Sequence, residues 1–109
     1  MIQSSPLLSG PSDLLVLLVL RRSRLHRWGI AQRLQQLSCD VVQLDDASVS
    51  VSLRRMQERG WVDVELQPSE LSDPIHFYRL TRLGRQQFKR FKAEYSRVTS
   101  AIARLIERA

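Results

Sequence analysis

Apolar residues in this chain are grouped in blocks whose spacing changes along the sequence, and each spacing predicts an element. Residues 14–20 are apolar without a break. A helix there is apolar nearly all round and is predicted to be buried on several sides. Ser12 is placed to cap it, Asp13 faces the positive end of the helix dipole, and Arg21, Arg22 and Ser23 end it. In a second helix over residues 28–37, Ile30, Leu34 and Leu37 share one face, while Gln32, Arg33, Gln35 and Gln36 fall outside it. Residues 38–44 follow, with a short β-like stretch at 41–44. Asp45 or Asp46 then caps a third helix, whose buried stripe is Val49, Leu53 and Met56. Gly60 stands where a left-handed C-terminal cap belongs.

The period then changes from helical to alternating. Over residues 61–67, Val62, Val64 and Leu66 point to one face and Asp63 and Glu65 to the other. Residues 68–74 form a turn-rich tip, and the β-branched and aromatic residues 75–80 return as a second strand. Thr81 caps a final helix running to about residue 108. Along it Phe88, Phe91, Tyr95, Val98, Ile102 and Leu105 repeat with heptad spacing. Such a helix is on the order of 35 Å long and overhangs a small domain. Its seam is expected to meet the same helix of a second copy, the other arrangement being a helix folded back on its own domain.

Helix, helix, helix, hairpin, helix is the winged helix-turn-helix order. The expected class is α+β, mainly α. Residues 1–11 are a flexible leader, 12–81 a winged helix-turn-helix DNA-binding domain and 82–109 a C-terminal dimerisation helix.

Composition narrows the partners. A chain of 109 residues fits one domain with a modest core, which a shared interface would enlarge. The net charge is +6, from 17 basic against 11 acidic residues, and attracts phosphate backbones or anionic membrane surfaces. Only Lys89 and Lys92 among the basic residues are lysines; arginine suits phosphate and guanine, although a GC-rich genome explains the bias better. The run at 14–20 is far shorter than the roughly 20 residues that span a bilayer, and its positive residues follow rather than precede it. One cysteine, Cys39, precludes an internal disulfide and suits a reducing compartment. The chain is therefore expected to be soluble and cytoplasmic, without membrane contact.

In this fold the third helix enters the major groove while the wing touches the backbone or minor groove. Opposite its buried stripe the third helix shows Ser48, Ser50, Val51, Arg54, Arg55 and Glu58. Small residues in its first turn permit close approach to base edges. Arg54 and Arg55 are placed to anchor the backbone or reach guanine, the plainer alternative being a solvated face. At the start of the second helix, Arg27 and Trp28 are placed to brace a phosphate strand. Trp28 reads first as a core residue and second as such a brace, and His26 reads first as a capping or surface group. Nothing supports catalysis, a cofactor or a metal. His26, His76 and Cys39 lack ligand spacing, and four glycines form no phosphate loop. Cys39 reads as an inert thiol, with a redox sensor as the other reading.

The segments 25–30 (Leu-His-Arg-Trp-Gly-Ile), 48–56 (Ser-Val-Ser-Val-Ser-Leu-Arg-Arg-Met), 58–62 (Glu-Arg-Gly-Trp-Val) and 77–85 (Phe-Tyr-Arg-Leu-Thr-Arg-Leu-Gly-Arg) resemble the PadR transcriptional regulators. The resemblance spans about residues 14–106 and is most specific over 58–84. It implies a bacterial dimeric repressor that binds inverted repeats in double-stranded DNA and dimerises through its first and last helices. Ser48, Ser50, Val51, Arg54 and Arg55 would then face the groove, with His26, Arg27 and Trp28 near the backbone and His76 as a wing contact. Leu14 and Leu18 would join the heptad residues in the dimer. Some members sense small molecules, and Phe91 and Tyr95 lie where an unidentified effector would meet the seam.

The chain also departs from the family pattern. The family usually has glycine where Arg27 stands, and commonly where Cys39 and Ala47 stand. A positive φ at Arg27 or Cys39 would cost about 1 kcal/mol. Ser50 replaces a tyrosine that the family aims at DNA, and the wing tip carries Glu70 and Asp73 but no Lys or Arg. These departures motivate an alternative: a diverged interaction protein that keeps the dimer and binds operator DNA weakly or not at all.

Overall fold

The chain folds as helix α1 (Pro11–Leu20), strand β1 (Leu25–His26), helices α2 (Arg27–Leu37) and α3 (Asp46–Glu58), strands β2 (Val62–Gln67) and β3 (Ile75–Leu80), and helix α4 (Arg82–Arg108). The computed structural model describes residues 11–70 and 73–109. The expected leader lies outside them except for Pro11, which already opens α1. Ser12 is thus inside the first turn of α1 rather than its cap, and its hydroxyl oxygen accepts from Ser52 of α3 at 2.9 Å.

The apolar run makes α1 the centre of the core. Val16 and Leu17 are fully buried, and Leu14, Val19 and Leu20 nearly so. Ile30 and Leu34 of α2, the Val49–Leu53–Met56 stripe of α3, Trp61, Val62, Leu80 and Phe88 close around it. Each large apolar side chain taken from water in this way contributes on the order of 1.5–3 kcal/mol. Among the described residues no helix is long and apolar enough to cross a membrane.

The three strands lie in the order β1-β3-β2, all antiparallel. Val62 faces Leu80 and Val64 faces Tyr78, so the alternating face predicted for β2 packs inward at its base; Leu66, opposite His76, is exposed near the tip. The third strand was not expected. Leu25 and His26 pair with Tyr78 and Phe77, a bridge of two residues that carries no periodicity of its own. The β-like stretch at 41–44 is not a strand. The chain there turns through left-handed backbone at Cys39 (φ 53°) and Asp40 (φ 70°). The Ser38 hydroxyl then takes the Val42 N–H at 2.8 Å, holding a loop with no strand beside it. Of the two residues in question for positive φ, Cys39 has it and Arg27, at the start of α2, does not.

Gly60 ends α3 in the left-handed region at φ 76°. The chain then passes Trp61, whose carbonyl accepts the Thr81 N–H at 3.0 Å. Thr81 caps α4 by accepting from the Gly84 N–H at 3.0 Å and donates its own hydroxyl to the Gly60 carbonyl at 2.6 Å. Gly84 is packed so closely on the Trp61 carbonyl that a Cβ there would collide with it. The Trp61 ring meets Phe91 edge-on at 5.7 Å, with the Arg59 guanidinium 5.2 Å from its centroid. Beyond this joint α4 projects from the head, and the molecule measures 59 × 29 × 26 Å.

The heptad stripe is divided by this arrangement. Leu14 and Phe88, both expected in a dimer seam, are buried within the protomer, Phe88 under the Arg21 guanidinium at 5.1 Å. Phe91 is half-buried on Trp61. These are corrections: Leu14 belongs to the apolar core built on α1, and the first turns of α4 lie on the head and use Phe88 and Phe91 there. Farther out Val98 is half-buried, whereas Tyr95, Ile102, Leu105 and Ile106 are exposed, Leu105 at 68%. Leu18 of α1 is also exposed and shares with Tyr95 a hollow of about 480 Å³ between α1, α2 and α4.

Candidate nucleic-acid interface

Helix α3 is built to present one face. Asp45 caps it, its Oδ1 accepting the Ser48 N–H at 2.8 Å. Hydrogen bonds from Ser48, first from the side chain and then from the backbone, hold the Asp45 carboxyl below the ordinary range. With Val49, Ser52, Leu53 and Met56 buried, the opposite face shows Val51 and Arg54 to solvent and keeps Ser48 and Ser50 half-buried. Arg54 makes no ion pair among the described residues.

Arg55 was expected on this face and is not there. It turns back to α1, where its Nε donates to Asp13 Oδ2 at 3.0 Å and its Nη2 to Oδ1 at 2.8 Å. The Asp13 side chain is 6% exposed and that of Arg55 34%. The carboxylate raises the Arg55 guanidinium further above its ordinary range. The physical reason is burial: a carboxylate inside an apolar core needs a fixed partner, and Arg55 is the cation within reach. Arg55 therefore fixes α3 against α1.

The start of α2 flanks α3. His26 caps α2, its Nδ1 accepting the Gly29 N–H at 3.1 Å, while its ring meets Phe77 edge-on at 5.7 Å. Its capping role agrees with the first reading of that residue. Trp28 does not pack in the core. It is 67% exposed, and Trp61 occupies the buried position instead. Arg27 reaches across to α3, its Nε forming an ion pair with Asp46 Oδ1 at 2.8 Å and its Nη1 donating to Ser50 Oγ at 3.5 Å.

Arg27 and Trp28 also line an open groove of about 650 Å³ between α2 and the hairpin, shared with His26, Ile75, His76 and Tyr78. Arg27 thus joins two surfaces: the outer face of α3 and a cationic, aromatic groove beside it. Sequence reasoning named Arg27, Trp28, His26 and His76 but missed Asp46 as the partner of Arg27 and Asp13 as the partner of Arg55. No local pattern announces a contact between separate helices.

The hairpin is less basic than its arginines suggest. Arg24 donates to Glu65 at 2.7 Å and Arg79 lies 3.9 Å from Asp63. The Arg24 guanidinium, by hydrogen bond first and charge second, holds the Glu65 carboxyl below its ordinary range. At the tip, Glu70 and Asp73 are exposed. Of the two aromatics expected near an effector, Phe91 packs on Trp61, and Tyr95 lines the α1–α2–α4 hollow. Among the described residues no three His, Cys, Asp or Glu side chains are grouped to hold a metal.

Residues 16–90 match the family model described as the Transcriptional regulator PadR-like family. Among solved structures, a transcriptional regulator from Clostridium thermocellum superposes with a TM-score of 0.81 at 17% identity, covering 93% of this chain and 95% of that one. A PadR-like transcriptional regulator from Bacillus cereus gives 0.73 at 22% identity over 94% and 97% of the two chains. Bacillus subtilis PadR, solved in complex with operator DNA, gives 0.68 at 15% identity, covering 74% of this chain and 46% of that one. At these identities the structures share the fold. The comparison with curated proteins yields no match.

Proposed function

This chain belongs to the PadR-like family of transcriptional regulators, and from that premise we propose that it is a cytoplasmic repressor binding a short inverted repeat in double-stranded DNA as a homodimer. The observation that carries the reading is the outer face of α3, where small hydroxyls, an exposed Val51 and an Arg54 without an ion pair among the described residues stand on a helix locked to the core by Arg55.

Set in a major groove, Ser48 and Ser50 allow the helix close to the base edges and offer hydroxyls to them. Val51 suits a thymine methyl, and Arg54 suits phosphate or guanine. Trp28 and His76, on the two sides of the groove between α2 and the wing, lie beside the backbone, with Arg27 between them and α3. The exposed Tyr95, Ile102 and Leu105 support a second copy of α4 as their cover, and Leu18 extends that surface to α1. Two heads held in this way would present their α3 helices about 34–36 Å apart, one turn of duplex.

A mobility-shift titration against the DNA upstream of its own gene, at about 50 mM salt, tests the proposal. A retarded complex that weakens steeply with salt is expected. No complex, with a dimer confirmed by light scattering, refutes DNA binding. Ile102→Glu with Leu105→Glu places like charges in the seam and is expected to give monomers; an unchanged mass refutes the seam.

Two observations favour the diverged reading: Ser50 is half-buried beside Arg27, and the wing tip is acidic. On that reading Ser50→Tyr combined with Glu70→Lys and Asp73→Lys creates binding that the parent lacks. A parent binding as tightly as this variant excludes it.

A further inference from the structure

The cations around the proposed reading face are mostly spoken for. Arg55 is held by Asp13, Arg24 by Glu65, Arg79 lies near Asp63, and Arg27 is held by Asp46. A net charge of +6 therefore does not translate into a strongly basic reading face. Only Arg55–Asp13 has a buried partner, and it joins α1 to α3; of the three exposed pairs, Arg27–Asp46 alone involves α3.

Arg27 and Asp46 are the first residues of α2 and α3, and their side chains are 47% and 60% exposed. Neither is needed for its helix to start, since His26 caps α2 and Asp45 caps α3. An ion pair this exposed contributes little to folding. Its position is what matters. Asp46 stands in the first turn of the helix proposed to enter DNA, where the helix dipole otherwise draws phosphate. Arg27 pairs with it and also lines the groove between α2 and the hairpin, which the proposed function sets beside the DNA backbone.

We propose that Asp46 is a charge latch on Arg27, withholding one cation per protomer from the DNA phosphates and so holding down binding to any duplex, while leaving the base contacts of α3 unchanged. The inference rests on the DNA-binding reading above. The other charges facing the pair do not replace Asp46 as the holder. Asp45 is committed to its cap, and the Ser50 hydroxyl, at 3.5 Å from Nη1, is neutral and distant.

The test uses full-length protein and titrates two duplexes, the upstream fragment and a scrambled one of equal length, across a salt series. Asp46→Asn keeps the shape and removes the charge. One freed cation adds about 0.9 to the steepness of log affinity against log salt, equivalent to about eightfold tighter binding at 0.1 M salt and about fourfold at 0.2 M, per protomer. The gain is expected on both duplexes alike and is expected to vanish in Asp46→Asn with Arg27→Gln. Arg27→Gln alone is expected to keep the parent's salt slope, because a latched cation contributes no phosphate contact.

A parent that binds DNA with Asp46→Asn showing the same affinity and slope overturns the latch alone. A gain that persists without Arg27 also overturns it, and assigns the effect to repulsion by the carboxylate. Absence of binding by parent and Asp46→Asn together overturns the DNA reading and the latch with it.

Discussion

Removing Arg55 should be worse for the fold than removing Asp13, although the two share the same hydrogen bonds. The pair is bidentate, at 2.8 and 3.0 Å, and sits beside the Ser12–Ser52 hydrogen bond in a wall that is otherwise apolar. Arg55→Ala strands a carboxylate whose side chain is only 6% exposed, whereas Asp13→Ala leaves a guanidinium that is one-third exposed and able to turn to water.

Breaking a fully buried pair from one side costs about 3–5 kcal/mol. Water reaching the Arg55 side lowers this to about 2–3 kcal/mol for Arg55→Ala. For Asp13→Ala the loss is about 1–2 kcal/mol, including up to about 0.5 for a charge favourable to the α1 dipole. With an unfolding entropy of about 2.1 cal/mol/K per residue, the midpoints fall by about 11 °C and about 7 °C respectively.

Thermal and urea unfolding followed by circular dichroism measures both variants, and the double variant closes the cycle. The double is expected to lose less than the sum of the singles, because neither partner is then stranded. Equal costs, a costlier Asp13→Ala, or losses below about 0.5 kcal/mol would refute the buried-carboxylate argument. Arg55→Ala is also expected to leave the salt slope of DNA binding unchanged, which separates its role from that of Arg54.

Three further outcomes follow from local geometry. Gly84→Ala drives a methyl group into the Trp61 carbonyl, and a loss of about 2–3 kcal/mol in urea unfolding is expected; a change under about 0.5 kcal/mol would show that the joint yields easily. Cys39→Gly relieves left-handed backbone at φ 53° and is expected to raise the midpoint by up to about 3 °C, after the added freedom of the unfolded chain is subtracted; a lower midpoint refutes the strain. The Asp45 carboxyl is lowered in the folded chain, so its stabilisation is complete above an unfolded value of about 3.9 and is lost as pH falls through the lower folded value. The stability gap between parent and Asp45→Ala should therefore be constant from about pH 7 to about pH 5 and shrink below about pH 4, and a gap independent of pH contradicts the cap.

The parts of the fold that were legible are those encoded by neighbours in sequence. Asp45, Gly60 and Thr81 each declare a helix boundary within a few residues, and the alternation from Val62 to Leu66 declares a strand. What stayed hidden depends on contacts across the chain. Leu25 and His26 become a strand only because Phe77 and Tyr78 pass beside them. Val41 and Val42 have strand-forming side chains but pair with no strand among the described residues, and fold as a loop. Trp28 and Trp61 could not be ranked for burial by residue type; their places at the outward start of α2 and at the inward turn after α3 decided it. In the candidate site, Arg54 could be read from periodicity, while Arg55, its neighbour, was claimed by a carboxylate from another helix.

The joint at Trp61, Thr81 and Gly84 has leverage. Helix α4 runs on the order of 40 Å from that point, so a tilt of about 5° at the joint displaces its far end by about 3–4 Å. Two heads joined at those far ends would be re-spaced by a comparable distance, enough to spoil the phase between successive turns of a duplex. In the proposed dimer, the hydrogen bonds and close packing at this joint would therefore help to set which half-site separations the protein accepts.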